Sequence, residues 1–215
     1  MNIQILVDDP QSWYVPYAMN LSAEIQLRGF SCNVTHQHES IQSGDILFLL
    51  SCGRILKTQL LERNKLNLVV HGSKLPEGRG FAPLTWEILQ GRSEFYLSLI
   101  EAATPVDSGR IYLQSSFKLE GHELHDELKD IQAREISKIV LDFLAHYPNI
   151  NPVAQEGEPT SYPRRGPTDS ALDINRPLAD QFNLLRVVDN ERYPAYFIRN
   201  GQKYLLKIYK PKNSS

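Results

Sequence analysis

Ile46-Leu47-Phe48-Leu49-Leu50 is the longest apolar run in the chain, and it follows the turn signal Ser43-Gly44-Asp45. Consecutive apolar residues leave no polar face, so the run reads as a strand covered on both sides, the kind found in parallel sheets. Its neighbours fit that frame. Upstream, Ile3 to Val7 is a short apolar strand running into the turn Asp8-Asp9-Pro10. Pro16 to Arg28 reads as a helix closed by Gly29, and Phe30 to Thr35 as a second strand. Downstream, a short helix over Thr58 to Glu62 leads to a fourth strand, Asn67 to Val70. Strands and helices joined by short crossovers predict an α/β domain with a mostly parallel sheet.

The next part has a different texture. His71 to Phe81 contains Gly72, Pro76, Gly78 and Gly80, and so predicts a loop directly after a strand. Pro83 to Gln90 reads as a helix closed by Gly91. Phe95 to Glu101 and Ile111 to Phe117 read as strands flanking the loop Pro105-Val106-Asp107-Ser108-Gly109. Leu124, Leu128, Ile131, Ile136, Ile139, Val140 and Phe143 keep a helical period, predicting an amphipathic helix over Glu123 to His146. After Tyr147-Pro148, a polar segment rich in Pro, Gly and charge reads as a surface excursion to about Pro167. Pro177 to Val187 is a further helix, and Asn200-Gly201 predicts a hairpin between Tyr193–Ile198 and Lys203–Tyr209. The division expected is a domain over 1–150, then a linker with a C-terminal helix and β-hairpin extension over 151–215. The hairpin either covers the core or offers its alternating Tyr and Ile to a second copy as a homodimer interface.

Composition narrows the function classes. A chain of 215 residues with 41% hydrophobic content buries a real core. Its 23 basic and 25 acidic side chains leave a formal charge of −2, which argues against nucleic acid as a partner. No stretch approaches the roughly 20 apolar residues of a membrane span. Met1-Asn2-Ile3-Gln4-Ile5 lacks the charged, apolar and small-residue order of a signal peptide, and Cys32 and Cys52 make no disulfide framework. The expectation is a cytoplasmic protein with reduced thiols.

In open parallel sheets, ligands bind outside the carboxyl ends of the strands. That rule singles out Asp8-Asp9, Ser51 to Leu56, His71-Gly72-Ser73, and Asp107 in the later loop. A loop His or Asp alone is usually a hydrogen-bonded surface group. Together, a His able to trade a proton near pH 7 and a carboxylate to orient it make an acid/base pair. Asp8-Asp9-Pro10 offers no glycine for close phosphate approach. His122-Glu123-Leu124-His125 is one residue short of the zinc-protease spacing, so no metal is expected there or at His36 and His38. Arg164-Arg165 reads as a solvated loop or, less commonly, a phosphate contact.

His71-Gly72-Ser73-Lys74-Leu75-Pro76-Glu77-Gly78-Arg79-Gly80, followed by Ala82-Pro83 and Trp86, resembles the signature of folate-dependent formyltransferases. That family carries Asn-x-His-x-Ser-x-Leu-Pro, a short loop with Arg-Gly and Ala-Pro, and then a helix. Val106-Asp107-Ser108-Gly109-Arg110-Ile111 resembles its downstream Asp-x-Gly segment, so the likeness covers roughly Leu47 to Phe143. The resemblance implies a Rossmann-like fold and 10-formyltetrahydrofolate as co-substrate. It implies formyl transfer to a primary amine, with His71 as base and Asp107 as its orienting partner. Ser51, Gly53, Ile55, Leu56 and Val106 fall in the loops that would read the pterin. Asp9, Trp13, Tyr17, Ser73, Lys74 and Arg79 are the expected substrate contacts, with helix-start packing as the bland alternative for Trp13 and Tyr17.

One position departs from the family. Its asparagine two residues before the histidine, which holds the developing oxyanion, is here Val69. Asn67, two residues further back on the same strand face, is a poor geometric substitute, so a backbone N–H, Ser51 or Ser73 is expected to take that role. The chain is short for the tRNA-contacting second domain of methionyl-tRNA formyltransferases and lacks the charge. Tyr162-Pro163-Arg164-Arg165 and the segments that follow it resemble sugar N-formyltransferases. Asp9-Pro10-Gln11-Ser12-Trp13 resembles the pseudaminic acid branch, whose substrate is a UDP-linked 4-amino-4,6-dideoxy sugar. The expected partner is therefore a nucleotide-linked amino sugar, with neither nucleic acid nor membrane. A non-catalytic folate-binding regulator, a formylfolate hydrolase and a formyltransferase acting on another amine are the rival readings.

Overall fold

The computed structural model describes residues 1–211. The first half alternates strand and helix: β1 (Asn2–Leu6), α1 (Val15–Leu27), β2 (Ser31–Thr35), β3 (Gly44–Leu49), α2 (Thr58–Leu61) and β4 (Asn64–His71). Then come the two-residue β5 (Arg79–Gly80), α3 (Pro83–Leu89), β6 (Glu94–Glu101), β7 (Ile111–Lys118) and α4 (His125–His146). The tail holds β8 (Ser161–Tyr162), α5 (Phe182–Val187), β9 (Ala195–Arg199) and β10 (Gln202–Leu206). The main sheet runs β2-β1-β3-β4-β6-β7. Its first four strands are parallel, and β6 and β7 are antiparallel additions. The expected mostly parallel α/β sheet is what the chain builds.

Residue alternation assigns the two faces of this sheet. Ile3, Ile5, Ile46, Phe48, Leu50, Leu68, Leu97 and Leu99 pack against the apolar stripes of α1 and α4. The opposite face carries Leu6, Leu47, Leu49 and Val69, covered by Leu56, Leu60 and Leu61 around α2. β3 is therefore apolar throughout because each of its faces meets a different layer.

α4 begins at His125, two residues later than the periodicity suggests. The cause is local. The Glu123 carboxylate accepts the backbone N–H groups of Glu120 and Gly121, which holds Glu123 in the preceding turn. Glu127 then caps the helix by accepting from the Leu124 N–H. Glu123 also pairs with Arg186 at 2.8 Å, and both side chains are buried, so this ion pair fastens α5 to the core domain. The predicted helix over 177–187 splits into a 3-10 turn, Leu178–Gln181, and α5, because the Gln181 amide bonds the carbonyls of Asp173 and Arg176. The hairpin forms at Asn200-Gly201, both in the left-handed region its turn requires.

The polar segment before Pro167 runs along the surface, mostly exposed as expected, but backbone pairing ties it down at two places. Val153 and Ile111 exchange two backbone hydrogen bonds of 2.8 and 2.9 Å. Ser161 and Tyr162 pair in parallel with Arg79 and Gly80. Composition disguised the segment because its contacts run through backbone and amide groups, not an apolar face. Cys32 and Cys52 are free thiols. Among the described residues no helix is long and apolar enough to cross a membrane, and no cluster of His, Cys, Asp and Glu is placed to hold a metal.

Candidate active site

His71 is the last residue of β4 and pairs in register with Ser98 of β6. Alternation puts its side chain on the face of Val69, away from α1 and α4. Beyond it the chain turns through Gly72 to Gly80, and Ser73 ties this turn shut. The Ser73 hydroxyl donates to the Glu77 carbonyl at 2.7 Å, and the Ser73 carbonyl accepts from the Ser98 hydroxyl at 2.7 Å. Ser73 is fully buried and its hydroxyl is spent on the loop.

The loop between β6 and β7 folds back onto this face and delivers Asp107. Gly109 makes the return possible: a Cβ there would run into the Glu101 carbonyl. Asp107 sits in the left-handed region at φ 59°, a strained position for a residue with a side chain. His71 Nδ1 lies 3.4 Å from Asp107 Oδ1, and each side chain is 8% exposed. The other carboxylate oxygen accepts the Gly80 N–H at 2.9 Å. His71 Nε2 donates to the Gly78 carbonyl at 2.8 Å. Both ring nitrogens thus face acceptors. A neutral imidazole carries one N–H and satisfies one of them, whereas the imidazolium satisfies both.

Residues from the surface segment before Pro167 complete the frame. Gln155 donates to the carbonyls of Asp107 and Gly109 at 2.8 and 2.9 Å, and accepts from Arg79 Nη2 at 2.7 Å. The Thr160 hydroxyl accepts the Gly78 N–H at 2.8 Å, while its carbonyl accepts the Arg79 N–H at 2.9 Å. Gln155 and Thr160 carry no periodic or motif signal. Only the short alternation Thr160-Ser161-Tyr162 hinted at a strand.

The remaining expected contacts fall into separate groups. Trp13 and Tyr17 are not brought to His71. They pack with the α1–α4 core on the other face, with Lys129 over the Trp13 ring and the Tyr17 hydroxyl donating to Asp130. Asp9 is exposed and accepts the Gln11 N–H. At the β1–β3 rim, the Ser51 hydroxyl lies 3.1 Å from that of Ser12. The Gly53 and Arg54 N–H groups both donate to the buried Asp8 carboxylate. Burial and this carboxylate push the Cys52 thiol up to about 12, leaving it a poor nucleophile. Leu56 is buried beside Val69 and Ala102, whereas Ile55 and Val106 stand 77% and 53% exposed on the loops above. Lys74 lies over the Tyr96 ring, and Arg79 is held by Gln155.

No side-chain amide stands in for the family asparagine. Val69 is in the sheet between Leu49 and Ile100, and the Asn67 amide donates to the Leu61 carbonyl at 2.8 Å. Neither replacement considered near His71 is free, since the Ser73 hydroxyl is committed as well.

A buried His–Asp pair held by a glycine-rich loop, on the open face of a mostly parallel sheet, is an arrangement suited to acid/base chemistry. The formyl transferase family model matches residues 27–143, just over half of the chain, and the chain belongs to that family. It is 30% identical over 174 residues to a methionyl-tRNA formyltransferase of Bacillus subtilis, covering 78% of this chain and 53% of that protein. The chain thus spans about half the length of that curated relative. Among solved structures, a methionyl-tRNA formyltransferase from Clostridium thermocellum superposes with a TM-score of 0.82 at 21% identity, covering 100% of this chain and 95% of the other. HypX from Aquifex aeolicus in complex with tetrahydrofolic acid gives 0.80 at 17% identity, over 97% of this chain and 37% of HypX. A sugar N-formyltransferase from a Shewanella species gives 0.69 at 15% identity, over 97% of each chain. These likenesses establish the fold.

Proposed function

We propose that the chain transfers the formyl group of 10-formyltetrahydrofolate to the primary amine of a nucleotide-linked amino sugar. The observation that carries the reading is the His71–Asp107 pair, whose ring nitrogens both face acceptors. The tetrahydrofolic acid bound to HypX and the sugar N-formyltransferase from Shewanella support the co-substrate and acceptor class.

In this reading the neutral amine attacks the formyl carbon, forming a C–N bond and pushing the carbonyl electrons onto oxygen. His71 takes the amine proton at Nε2, which is free to accept it in the tautomer that carries its N–H on Nδ1 toward Asp107; the substrate then replaces the Gly78 carbonyl as the partner of Nε2. Asp107 holds Nδ1 and balances the charge of the imidazolium. With Val69 offering no donor, that imidazolium is the charged group beside the oxyanion. Collapse breaks the bond to the folate nitrogen, which recovers the proton, leaving a formamide and tetrahydrofolate. Exposed Ile55 and Val106 offer apolar edges for the pterin. The finer assignment within this reading is a UDP-linked 4-amino-4,6-dideoxy sugar of pseudaminic acid-type glycan synthesis, in a cytoplasmic enzyme.

The test is incubation with 10-formyltetrahydrofolate and a panel of UDP- and dTDP-linked amino sugars, read by product mass. Formylated sugar together with tetrahydrofolate supports the reading. Folate binding without transfer to any amine supports a regulator, and tetrahydrofolate release without amine supports a hydrolase. A second acceptor, methionyl-tRNA, is favoured by the Bacillus subtilis relative, and the same panel includes it. The formal charge of −2 weighs against it.

A further inference from the structure

Beside the catalytic loop, the small sheet of β5 and β8 carries a surface that the reaction above does not use. Phe81 follows Gly80, whose N–H holds Asp107, and the Phe81 N–H donates to the Tyr162 carbonyl at 3.1 Å. The Phe81 ring is 48% exposed, and the Arg164 guanidinium lies over it at 5.1 Å. Next to it, Trp86 stacks on Tyr162 with ring centroids 6.1 Å apart and planes 11° apart. The Arg165 guanidinium covers Trp86 at 5.6 Å. Neither Arg164 nor Arg165 forms an ion pair with a carboxylate among the described residues, and the Arg165 side chain reaches only the Asp169 carbonyl.

That arrangement is incomplete on electrostatic grounds. Arg165 is largely withdrawn from water, and burial disfavours its charge. Its Nη1 is enclosed with no acceptor. The Asp169 carboxylate offsets only part of the cost of withdrawing the Arg165 guanidinium from water, and a bound anion in direct contact would offset more. Both guanidiniums are held against aromatic rings, and a guanidinium can give two-pronged hydrogen bonds to phosphate oxygens. An exposed aromatic ring beside two arginines adds a stacking surface for a planar base. Two arginines suit a short anion better than a long nucleic-acid track, which would need a basic stripe that a chain of net charge −2 lacks.

We propose that Arg164 and Arg165, with Phe81, form the docking surface for the nucleoside diphosphate of the substrate. The diphosphate sits on the arginines and the base against Phe81. Because Phe81 and Gly80 are adjacent, this places the attached sugar next to the His71–Asp107 pair. The inference rests on the nucleotide-sugar reading and names the residues that would select that substrate class.

The full chain is titrated calorimetrically with UDP, dTDP and inorganic pyrophosphate. Tetrahydrofolate binding and the melting temperature serve as checks on the fold. The wild type is expected to bind a nucleoside diphosphate more tightly than pyrophosphate. Arg164→Gln and Arg165→Ala should each weaken both ligands about tenfold or more. Phe81→Ala should weaken the nucleotide and leave pyrophosphate unchanged. Should Arg165→Ala fail to fold, exposed Arg164 and the conservative Arg165→Lys carry the test. Wild-type nucleotide affinity in both arginine variants overturns this docking surface while leaving the sugar formyltransferase reading intact. A wild type that binds neither nucleotide and formylates no nucleotide-linked sugar overturns both. Binding of tRNA more tightly than UDP, lost in the same variants, also overturns the proposal.

Discussion

The side-chain amide of Gln155 donates to the main-chain carbonyl of Asp107 at 2.8 Å, across 48 residues of sequence. The same nitrogen reaches Gly109, and the amide oxygen takes Arg79 Nη2. One neutral side chain therefore ties the aspartate's strained loop to the arginine of the glycine-rich loop. Gln155→Glu loses both N–H donations but keeps an acceptor for Arg79. It should lower kcat by about tenfold or more with a smaller change in KM, since a displaced aspartate harms the transition state more than binding. Steady-state kinetics decide this, and an unchanged kcat would remove Gln155 from the positioning of Asp107.

His71→Ala should cut formyl transfer by about 10²–10⁴-fold, the range for a lost proton-transfer group. Asp107→Asn keeps an acceptor for the Gly80 N–H but removes the charge opposite Nδ1. It should cost at least about 10²-fold in tetrahydrofolate release with little change in melting temperature. Near wild-type turnover in either variant would disqualify that residue from the chemistry.

Gly80→Ala meets two obstacles together. Gly80 has φ +95°, and an added Cβ would meet the Tyr162 carbonyl at 2.5 Å. Gly121 has a similar φ of +93° with nothing within 4 Å, so Gly121→Ala isolates the conformational cost. Gly80→Ala should lower stability by about 1–3 kcal/mol and reduce activity by at least about tenfold. Gly121→Ala should lose less stability and no activity. Equal activity in the two variants would show that the β5–β8 contact does not hold Asp107.

The Glu87 carboxylate, 4% exposed on α3, is pushed up to about 7 because burial outweighs the neighbouring Arg92, 3.4 Å away. Between its ordinary value of 4.5 and about 7, the folded protein holds a proton that the unfolded chain has released. Stability attributable to this group therefore falls as pH rises through that window, then levels off. Glu87→Gln removes the dependence. Thermal melts of the variant should match wild type near pH 4.5 and exceed it at pH 8 by about 2–4 °C, on the order of 1 kcal/mol for a chain of this size. A variant less stable than wild type at pH 8 would contradict the buried-carboxylate account.

What could be read from the sequence divides along physical lines. β3 was legible because burial on two faces forces apolar residues at every position. His71 and Asp107 were legible because they stand in two motifs at fixed spacing, and the fold brings them within 3.4 Å. Gln155 and Thr160 escaped notice because each acts through a few hydrogen bonds, which impose no period and tolerate a polar, proline-rich context. Trp13 and Tyr17 stayed ambiguous for the converse reason. An aromatic residue at a helix start looks the same whether it faces a ligand or another helix, and only the contacts with Lys129 and Asp130 show that these two face α4.

The parallel pairing of Arg79–Gly80 with Ser161–Tyr162 also orders events as the chain is made. The strands that form the sheet, and the helix α4 that packs on it, all precede residue 147 in the chain. The brace on the histidine–aspartate loops arrives later, since Gly78 waits for Thr160 across 82 residues. Such long-range closures come late because the loop they close must first be paid for in entropy. A growing chain therefore acquires a core before it acquires a competent catalytic frame. The residues that hold the His71 and Asp107 loops together are thus among the last of these contacts to become available.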